Sequence, residues 1–377
     1  MATAIKRGKK WQAEFSYKNP ITGKYQKKRK SGFRTKTEAK NYAFEQEKIY
    51  KDGYFLDNQV TLSEYYFEWI QTFKKPVVTR NTFSKYITTY KSIQKYFHNI
   101  LLSDLTKKNY QKILNLYAES HAPATTSKFN NHIKQAVSEA VDEKLILKNF
   151  AEGSIISGTN NIKSPEDKFI NYNDVHKLIE YFKTKATAKI PSYYMIILAF
   201  ASGLRYGELW GLTWNDIDFE KGVINVNKTF DYKDKTGFLP TKNKSSNRIV
   251  PIDQSTIEIF IRFKKEQESL FSEYNILNKH NLVFYHYIEE IFSNNSINKS
   301  LRRAQSKFNI NPKISMHGAR HTYGSILIYK GIDIAVVSQL LGHRDISTTE
   351  RVYLHVIEEM KEKNFRQIKE IFTEIYK

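Results

Sequence analysis

A polar stretch interrupts the apolar pattern of this 377-residue chain near its middle. Residues 151–168 (AEGSIISGTNNIKSPEDK) are small, polar and rich in Gly, Ser and Asn. A segment of that composition has little to bury in a core and is typical of an interdomain linker. The chain must therefore fold into at least two separately packed bodies, and its length suggests two or three domains.

The segment before this stretch has the apolar periodicity of a helical bundle. Thr61 and Glu64 have the spacing of a capping box, which marks the start of a helix. From Tyr86 to Phe97, apolar and aromatic residues recur at steps of three and four along one helix face. Such a stripe is most simply a buried core, not a platform for stacking bases. We expect four or five helices here.

Positive charge is concentrated at the start of the chain. Fourteen Lys and Arg residues against four acidic residues in positions 1–50 carry about half of the net charge of +21. Such an excess indicates a polyanionic partner, either nucleic acid or an acidic membrane surface. Strand-like alternation around Trp11, a second basic strand and a helix capped at Thr35 predict a small sheet with one helix. A solvated basic tail is the alternative.

Composition excludes several classes of protein. The chain has no Cys, which rules out a disulfide scaffold, a Cys-ligated zinc or iron–sulfur site and a thiol nucleophile. With 40% hydrophobic and 14% aromatic residues it is not a disordered basic protein. No apolar run reaches 18 residues and the N-terminus lacks a signal-peptide core, so we expect a soluble, intracellular protein.

The last part of the chain, residues 169–377, reads as mainly helical with a short sheet. PSYYMIILAFASGL predicts a buried helix that ends at Gly203. GVINVNKTF and SNRIVPI are strand-like and flank a Lys-rich turn. Four segments hold residues suited to chemistry: Arg205 and Glu208 in ASGLRYGEL; Lys242 and Lys244 in TKNKSSNRIVPI; His317, Arg320 and His321 in SMHGARHTYG; and His343 and Tyr353 in LLGHRDISTTERVYLHV.

Each of these residues alone is more often structural than catalytic. Arg205 and Glu208 could be a surface ion pair, and the two lysines an ordinary hairpin tip. Together, they suit reaction at a phosphodiester. Cations and His donors can hold the non-bridging oxygens as charge builds up on phosphorus. A Tyr hydroxyl can attack and a Lys can protonate the departing oxygen.

The order and wording of the four segments resemble the tyrosine recombinases, in particular integrases of phages and conjugative transposons of low-GC Gram-positive bacteria. GLRYGEL is similar to the first-arginine box of that family and HGARHTY to its His-x-x-Arg box. LLGH, followed ten residues later by Tyr353, is similar to the third box and nucleophile. The resemblance covers the whole C-terminal domain and, more weakly, the two segments before it.

The resemblance implies a role for each residue. These roles are phosphate binding by Arg205 and Arg320, attack by Tyr353, general base catalysis by His317, a hydrogen bond to the phosphate from His343, support of Arg205 by Glu208, and general acid catalysis by Lys242. Because Lys244 lies two residues from Lys242, the choice between these lysines stays open. The DNA-contact candidates are basic residues of the N-terminal segment: Lys27, Lys28, Arg29, Lys30 and Arg34.

The resemblance also implies a multidomain, mainly α fold with small sheets. Its parts would be an arm-type DNA-binding module of a small β-sheet and a helix (1–57), a helical core-binding bundle (58–155), a linker (156–168) and a mainly helical α+β catalytic domain (169–377) with a C-terminal helix for docking on a neighbouring protomer. The reaction would be site-specific DNA recombination, for integration and excision of a mobile element or prophage, through a 3′-phosphotyrosyl intermediate. It would need neither metal nor ATP.

The partners implied are double-stranded DNA attachment sites of core and arm type, a homotetramer on two duplexes, a host DNA-bending protein and an excisionase. The place of action would be the bacterial cytoplasm, at the nucleoid. Two functions of other classes stay open. A metal-dependent nuclease is suggested by His317 and His321, which have a zinc-ligand spacing. A non-enzymatic DNA-binding regulator is compatible with the net charge, but it leaves the Arg, His and Tyr set unexplained.

Overall fold

The structure is a computed structural model that describes residues 2–19, 23–54, 59–159, 166–232, 234–241, 243–289, 291–353 and 373. Contacts between residues divide the chain into two units, Met1–Ile162 and Lys163–Lys377. Helices dominate, and the described strands form small antiparallel sheets. The predicted fold class, mainly α with small sheets, is confirmed.

The first unit begins with a three-stranded antiparallel sheet covered on one face by a helix. The strands and the helix are β1 (Thr3–Arg7), β2 (Lys10–Lys18), β3 (Tyr25–Phe33) and α1 (Lys36–Lys51). The helix starts at the predicted capping box, in which the Thr35 hydroxyl accepts from the Glu38 N–H and the Glu38 carboxylate accepts from the Thr35 N–H. Alternate residues of β2, among them Phe15 and Tyr17, are buried with residues of α1. The N-terminal segment thus has a core of its own.

The remainder of the first unit is a helical bundle. Its helices are α2 (Leu62–Trp69), which continues into a π-helical turn (Ile70–Lys74), α3 (Arg80–Phe97), α4 (Lys107–Ala118) and α5 (Pro123–Asp142). The capping box of Thr61 and Glu64 opens α2 as predicted. The stripe of α3 lies in the core, where Ile93 and Phe97 are fully buried.

The second unit is built around a buried central helix. Its helices are α6 (Tyr172–Lys185), α7 (Pro191–Ser202), α8 (Tyr206–Gly211), α9 (Gln254–Glu273), α10 (Asn294–Lys307), α11 (Met316–Tyr329) and α12 (Ile334–Leu341). α7 is apolar on nearly every side, and α6 and α11 pack against it. It ends at Gly203, whose φ is 63°, and a Cβ there would lie 2.4 Å from the Tyr323 ring. Glycine therefore permits both the turn and the close approach that lead into α8.

Short strands complete the second unit. They are β4 (Ile217–Asp218), β5 (Val223–Val226), β6 (Lys228–Phe230), β7 (Phe238–Pro240) and β8 (Arg248–Pro251). β4, β5 and β8 form one sheet and β6 pairs with β7. β8 contacts α12, so the sheet reaches the segment that holds His343. In the described part of the chain, no helix has the length and apolar character needed to cross a lipid bilayer.

Candidate active site

Three arginine side chains converge on the carboxyl-terminal end of α12. Gly342 ends this helix in the left-handed conformation, with a φ of 60°. A helix that stops there leaves its last carbonyl groups without helical partners. The guanidinium groups bind three consecutive carbonyl oxygens: Arg248 binds that of Leu340, Arg320 that of Leu341 and Arg205 that of Gly342. The negative end of the helix dipole thus gathers three positive charges.

Arg320 is the most deeply buried of the three, with 3% of its surface exposed. It lies on α11, and its Nη1 also donates to the carbonyl of Gly203 at 2.7 Å. Burial, followed by the positive charge of Arg205, lowers the pKa of Arg320 to about 9. The side chain is still cationic at neutral pH. Its two carbonyl contacts connect the end of α7 to the end of α12.

Glu208 pairs with two of the arginines from the first turn of α8. Its carboxylate accepts from Arg205 Nη1 at 2.7 Å and from Arg248 Nη2 at 2.9 Å. It also accepts from the Arg205 N–H at 2.8 Å, so it caps the helix on which it lies. Burial opposes ionisation, but the hydrogen bond and charge of Arg248, joined by Arg205, lower the pKa of Glu208 to about 2. Arg205 and Glu208 therefore belong, together with Arg248, to an ionised cluster around a buried carboxylate, and they are not a surface ion pair.

Arg248 is a site residue that the sequence analysis missed. It is the first residue of β8, and only 6% of its side chain is exposed. Its guanidinium donates to the Glu208 carboxylate and to the carbonyl groups of Leu340 and Ser246. The sequence predicts the SNRIVPI strand, but a strand pattern does not show which partner the Arg248 side chain will reach.

Two histidines lie close to the arginines and are neutral at pH 7. His317 precedes Arg320 by one turn of α11 and is exposed at the surface. Partial loss of hydration, with the charges of Arg320 and Arg205, lowers its pKa. Half-buried His343 directly follows Gly342, and burial with the same two arginines lowers its pKa to about 4. A neutral imidazole can accept a proton, as the base predicted at His317 must.

A hydrogen bond with Thr349 fixes the orientation of the His343 ring. Its Nδ1 lies 2.8 Å from the hydroxyl oxygen of Thr349, which is fully buried. When that hydroxyl donates to Nδ1, the ring carries its proton on Nε2. The imidazole then has one N–H to offer, which matches the donor role predicted for His343.

Tyr353 is buried, with 1% of its surface exposed. It lies on a helix that starts at residue 346. Ile328, Val337 and Leu341 pack in the same cluster. Burial raises the pKa of the hydroxyl to about 12, although the charge of Arg320 acts in the opposite direction. We call the space that holds the Tyr353 ring among these residues the tyrosine pocket.

The floor of the tyrosine pocket is Gly324 on α11. A Cβ at this position would lie 2.3 Å from the Tyr353 hydroxyl oxygen and 2.5 Å from Cζ. No side chain fits there without moving the ring. One turn earlier on the same helix, the ring centre of His321 is 6.2 Å from that of Tyr353 and 4.6 Å from that of His317.

Two of the predicted features lie outside the described residues. They are Lys242 and the C-terminal helix proposed for docking. The alternative lysine, Lys244, begins a short 3₁₀ turn that ends at Ser246. Among the described residues, no group of three or more His, Asp and Glu side chains is placed so that it could hold a metal ion.

Comparison with known proteins identifies the family. Residues 168–360 match the phage integrase family, and residues 4–49 match an arm DNA-binding domain. The chain belongs to the phage integrase family. A tyrosine recombinase XerC-like protein of Caldanaerobacter subterraneus subsp. tengcongensis is 30% identical over 90% of each chain. The ICEBs1 integrase of Bacillus subtilis is 28% identical over 78% of each chain.

Solved structures agree with this family assignment at the level of the fold. The Tn1549 transposon integrase, in complex with transposon right end DNA, has a TM-score of 0.64 at 16% identity and covers 81% of this chain and 99% of its own. A lambda integrase tetramer bound to a Holliday junction has a TM-score of 0.55 at 18% identity, covering 92% and 93%. The predicted resemblance to tyrosine recombinases is confirmed.

The arm segment of this integrase-family chain presents part of its basic set on an open sheet face. Lys27 and Arg29 of β3 lie opposite Ser16 and Glu14 of β2. Arg29 Nε is 2.6 Å from the Glu14 carboxylate, and Lys27 Nζ is 3.5 Å from it. More than half of each basic side chain is exposed. These two side chains lie on the face that α1 leaves uncovered.

The other basic residues of the arm segment are arranged differently. Lys28 lies on the α1 side, and its Nζ donates to the Tyr50 hydroxyl at 3.1 Å. Lys30 is on the same side, with its Nζ 4.6 Å from the centre of the Tyr42 ring. Arg34 follows the strand. The alternation of a strand therefore separates candidates that the sequence analysis had grouped.

Proposed function

We propose that the chain is an integrase that cleaves and rejoins DNA strands of a mobile element or prophage through a 3′-phosphotyrosyl intermediate. The observation that carries the proposal is the convergence of Arg205, Arg320 and His343 at the end of α12, in the same domain as Tyr353. This set offers cationic and neutral donors to one anionic group. A phosphodiester in the transition state of strand cleavage needs such donors.

In the proposed reaction, the scissile phosphate binds at the exposed edge of the arginine cluster. About 30% of the Arg205 side chain is exposed, so its guanidinium can reach a bound phosphate while Glu208 holds it in place. The buried Arg320 contributes its positive charge from inside the cluster, and the Nε2–H of His343 donates to a non-bridging oxygen. These charges offset the negative charge that develops on phosphorus.

The nucleophile in this proposal is the Tyr353 hydroxyl. His317 takes its proton, the tyrosine oxygen bonds to phosphorus, and the bond to the 5′-oxygen breaks. Lys242 gives a proton to that leaving oxygen. The phosphotyrosyl bond retains the energy of the phosphodiester, so a 5′-hydroxyl of another strand can reverse the step. This is the chemistry of type IB topoisomerases, and ATP is not part of it.

Tyr353 must move relative to its described position for this attack. Its hydroxyl lies against the backbone at Gly324, and with 1% of its surface exposed the residue cannot meet a phosphate of bound DNA there. We propose that DNA binding draws the tyrosine out of its pocket. The buried position then describes the protein before cleavage.

The proposed partners are DNA and further copies of this chain. We propose that the chain divides as residues 1–57 for arm sites, 58–155 for core sites, 156–168 as linker and 169–377 for catalysis, and that four copies act on two duplexes. The related structures, which include the Tn1549 integrase on transposon right end DNA and a lambda integrase tetramer on a Holliday junction, support this assembly. Within the arm segment, Lys27 and Arg29 are the proposed contacts with DNA. The nucleoid is the proposed place of action.

The decisive experiment traps the covalent intermediate. The protein is mixed with a nicked suicide duplex that carries an end of its own element, and the products are separated in SDS. We expect an adduct with wild type, none with Tyr353→Phe, and a normal amount with Tyr274→Phe, which removes a hydroxyl from a half-exposed ring elsewhere in the same unit. Excess EDTA should not change the yield.

The outcomes separate the three functions considered. Cleavage without an adduct that stops in EDTA and returns with Mg²⁺ or Zn²⁺ would indicate the nuclease. Binding with no cleavage at all would indicate the regulator. An adduct that persists in Tyr353→Phe would show that another residue is the nucleophile.

A further inference from the structure

The Arg248 guanidinium forms hydrogen bonds with groups inside the protein. It donates to both Glu208 oxygens, at 3.2 and 2.9 Å, to the Ser246 carbonyl at 2.9 Å, and to the Leu340 carbonyl. With 6% of its side chain exposed, it has no open edge for a DNA phosphate. Its charge is therefore directed at neighbouring residues and not at a substrate.

These contacts join three separate parts of the proposed active site. Glu208 belongs to α8 and holds Arg205. Leu340 belongs to the end of α12, immediately before Gly342 and His343. Ser246 ends the turn that follows the Lys242 segment. A Cβ at Gly342 would lie 3.0 Å from Arg248 Nη1, which shows how closely the guanidinium is enclosed.

We propose that Arg248 is a positioning residue for strand cleavage, which fixes Arg205 through Glu208 and fixes His343 through the end of α12. The inference rests on the proposed function, because it assigns Arg248 a part in the same reaction. Arg248 does not touch the substrate. It sets the distance and direction from which the phosphate-binding groups act.

The physical reason lies in the sharing of one buried carboxylate. Glu208 is 2% exposed, and each of its carboxylate oxygens accepts hydrogen bonds from both Arg205 and Arg248. Without Arg248, the buried carboxylate keeps only one of its two cationic partners, so the Arg205 guanidinium is drawn more strongly toward Glu208 and away from the phosphate. The Leu340 carbonyl also loses a donor, so the last turn of α12 and His343 are held less firmly.

Substitution should therefore slow cleavage without weakening DNA binding. Because a misplacement of about 1 Å can cost roughly 10²-fold in rate, we expect a loss of that order in Arg248→Ala. Arg248→Lys keeps the charge but cannot form the forked bridge, so it should lose less. Arg262→Ala is the matched control, since Arg262 pairs with Glu266 at 3.5 Å on the surface of the same unit. It should cleave like wild type.

Two measurements distinguish positioning from a general loss of structure. In the Arg205→Ala background, Arg248→Ala should cost less than it does in wild type, because the part of its effect that acts through Arg205 is already lost. On a duplex with a methylphosphonate at the scissile position, the defect of Arg248→Ala should shrink, as the neutral phosphorus demands less cationic support. Damage to folding alone would lower the cleavage rates of the normal and the methylphosphonate duplex by the same factor.

The assay is adduct formation on the suicide duplex, with thermal denaturation of each full-length variant in parallel. If Arg248→Ala does not fold, Arg248→Lys is tested by the same two measurements. Cleavage by the Arg248 variants at the rate of Arg262→Ala, or a multiplied loss in the double variant, would overturn the inference. Absence of any adduct with wild type would instead refute the proposed function, so the two failures are distinguishable.

Discussion

Gly324→Ala tests whether the tyrosine pocket exists before DNA is bound. The added Cβ would lie 2.3 Å from the Tyr353 hydroxyl oxygen and 2.5 Å from Cζ. Neither atom can stay, because carbon and oxygen atoms that are not bonded do not approach so closely. The ring is enclosed by Val337 and Leu341, both fully buried, so it cannot make room by a small rotation.

The expected cost follows from overfilling a packed core. An extra methyl group in such a place typically destabilises a protein by about 1–3 kcal/mol. For a unit of this size, each kcal/mol lowers the melting temperature by about 2–4 °C. Gly324 lies inside α11, where Ala is otherwise favoured over Gly by about 0.5–1 kcal/mol. The net loss is thus the steric cost reduced by this helical gain.

A double-mutant cycle reveals the contact by a change of sign. In the Tyr353→Ala background the clash is gone, so Gly324→Ala should become stabilising by the helical gain alone. In the Tyr353→Phe background it should remain destabilising, because Cζ still lies in the way. Gly207→Ala is the control for helical glycine, since its Cβ would meet its nearest neighbour at 3.8 Å.

The assay is thermal denaturation of the full-length variants. Equal effects of Gly324→Ala in the wild-type and Tyr353→Ala backgrounds would refute the reasoning, since the clash would then involve another group. A stabilising effect in wild type would show that the ring does not occupy the pocket in solution.

Four further results are expected. Arg320→Ala should lower adduct formation by roughly 10²–10³-fold, the loss typical of one transition-state donor, and unchanged yield would contradict its role. Lys242→Ala should cleave slowly, except on a 5′-bridging phosphorothiolate, whose leaving thiolate needs no proton. Rescue by this substrate in Lys244→Ala but not in Lys242→Ala would identify Lys244 as the general acid. Burial lowers the pKa of His343 from 6.5 to about 4 in the folded protein, so the unfolded chain binds this proton first as the pH falls. The free energy of unfolding, measured by urea denaturation, should therefore decrease from pH 6.5 to pH 4, and His343→Asn should reduce this decrease. Lys27→Ala and Arg29→Ala should each lower the salt slope of arm-site binding by about 1, and an unchanged slope would place the DNA elsewhere.

Local signals in the sequence predicted the elements well. Capping boxes at Thr35 and Thr61 start helices in the structure where their hydroxyl groups and carboxylates satisfy the first N–H groups. The apolar run before Gly203 is the buried helix α7. These features depend on residues a few positions apart, so a linear pattern contains the information that determines them.

Features that depend on distant contacts could not be predicted in this way. β1 was missed because it is a short edge strand with only two partly buried residues. Arg248 reaches Glu208 across 40 positions and Leu340 across 92, and no spacing in the sequence marks such pairs. The burial of Tyr353 likewise depends on the absence of a side chain at Gly324, on a different helix.

The arginine cluster explains why the site as described is suited to an anion. It holds three guanidinium groups and one carboxylate, and the carbonyl groups at the end of α12 offset only part of the remaining charge. Burial first, and then the repulsion between these positive charges, lower the pKa of Arg320 and those of the nearby histidines His317 and His343. In the proposed reaction, the bound phosphate supplies the missing negative charge. The carbonyl groups and Glu208 therefore hold the cations in place beforehand, so that an anion can bind without rearrangement of the arginine cluster itself.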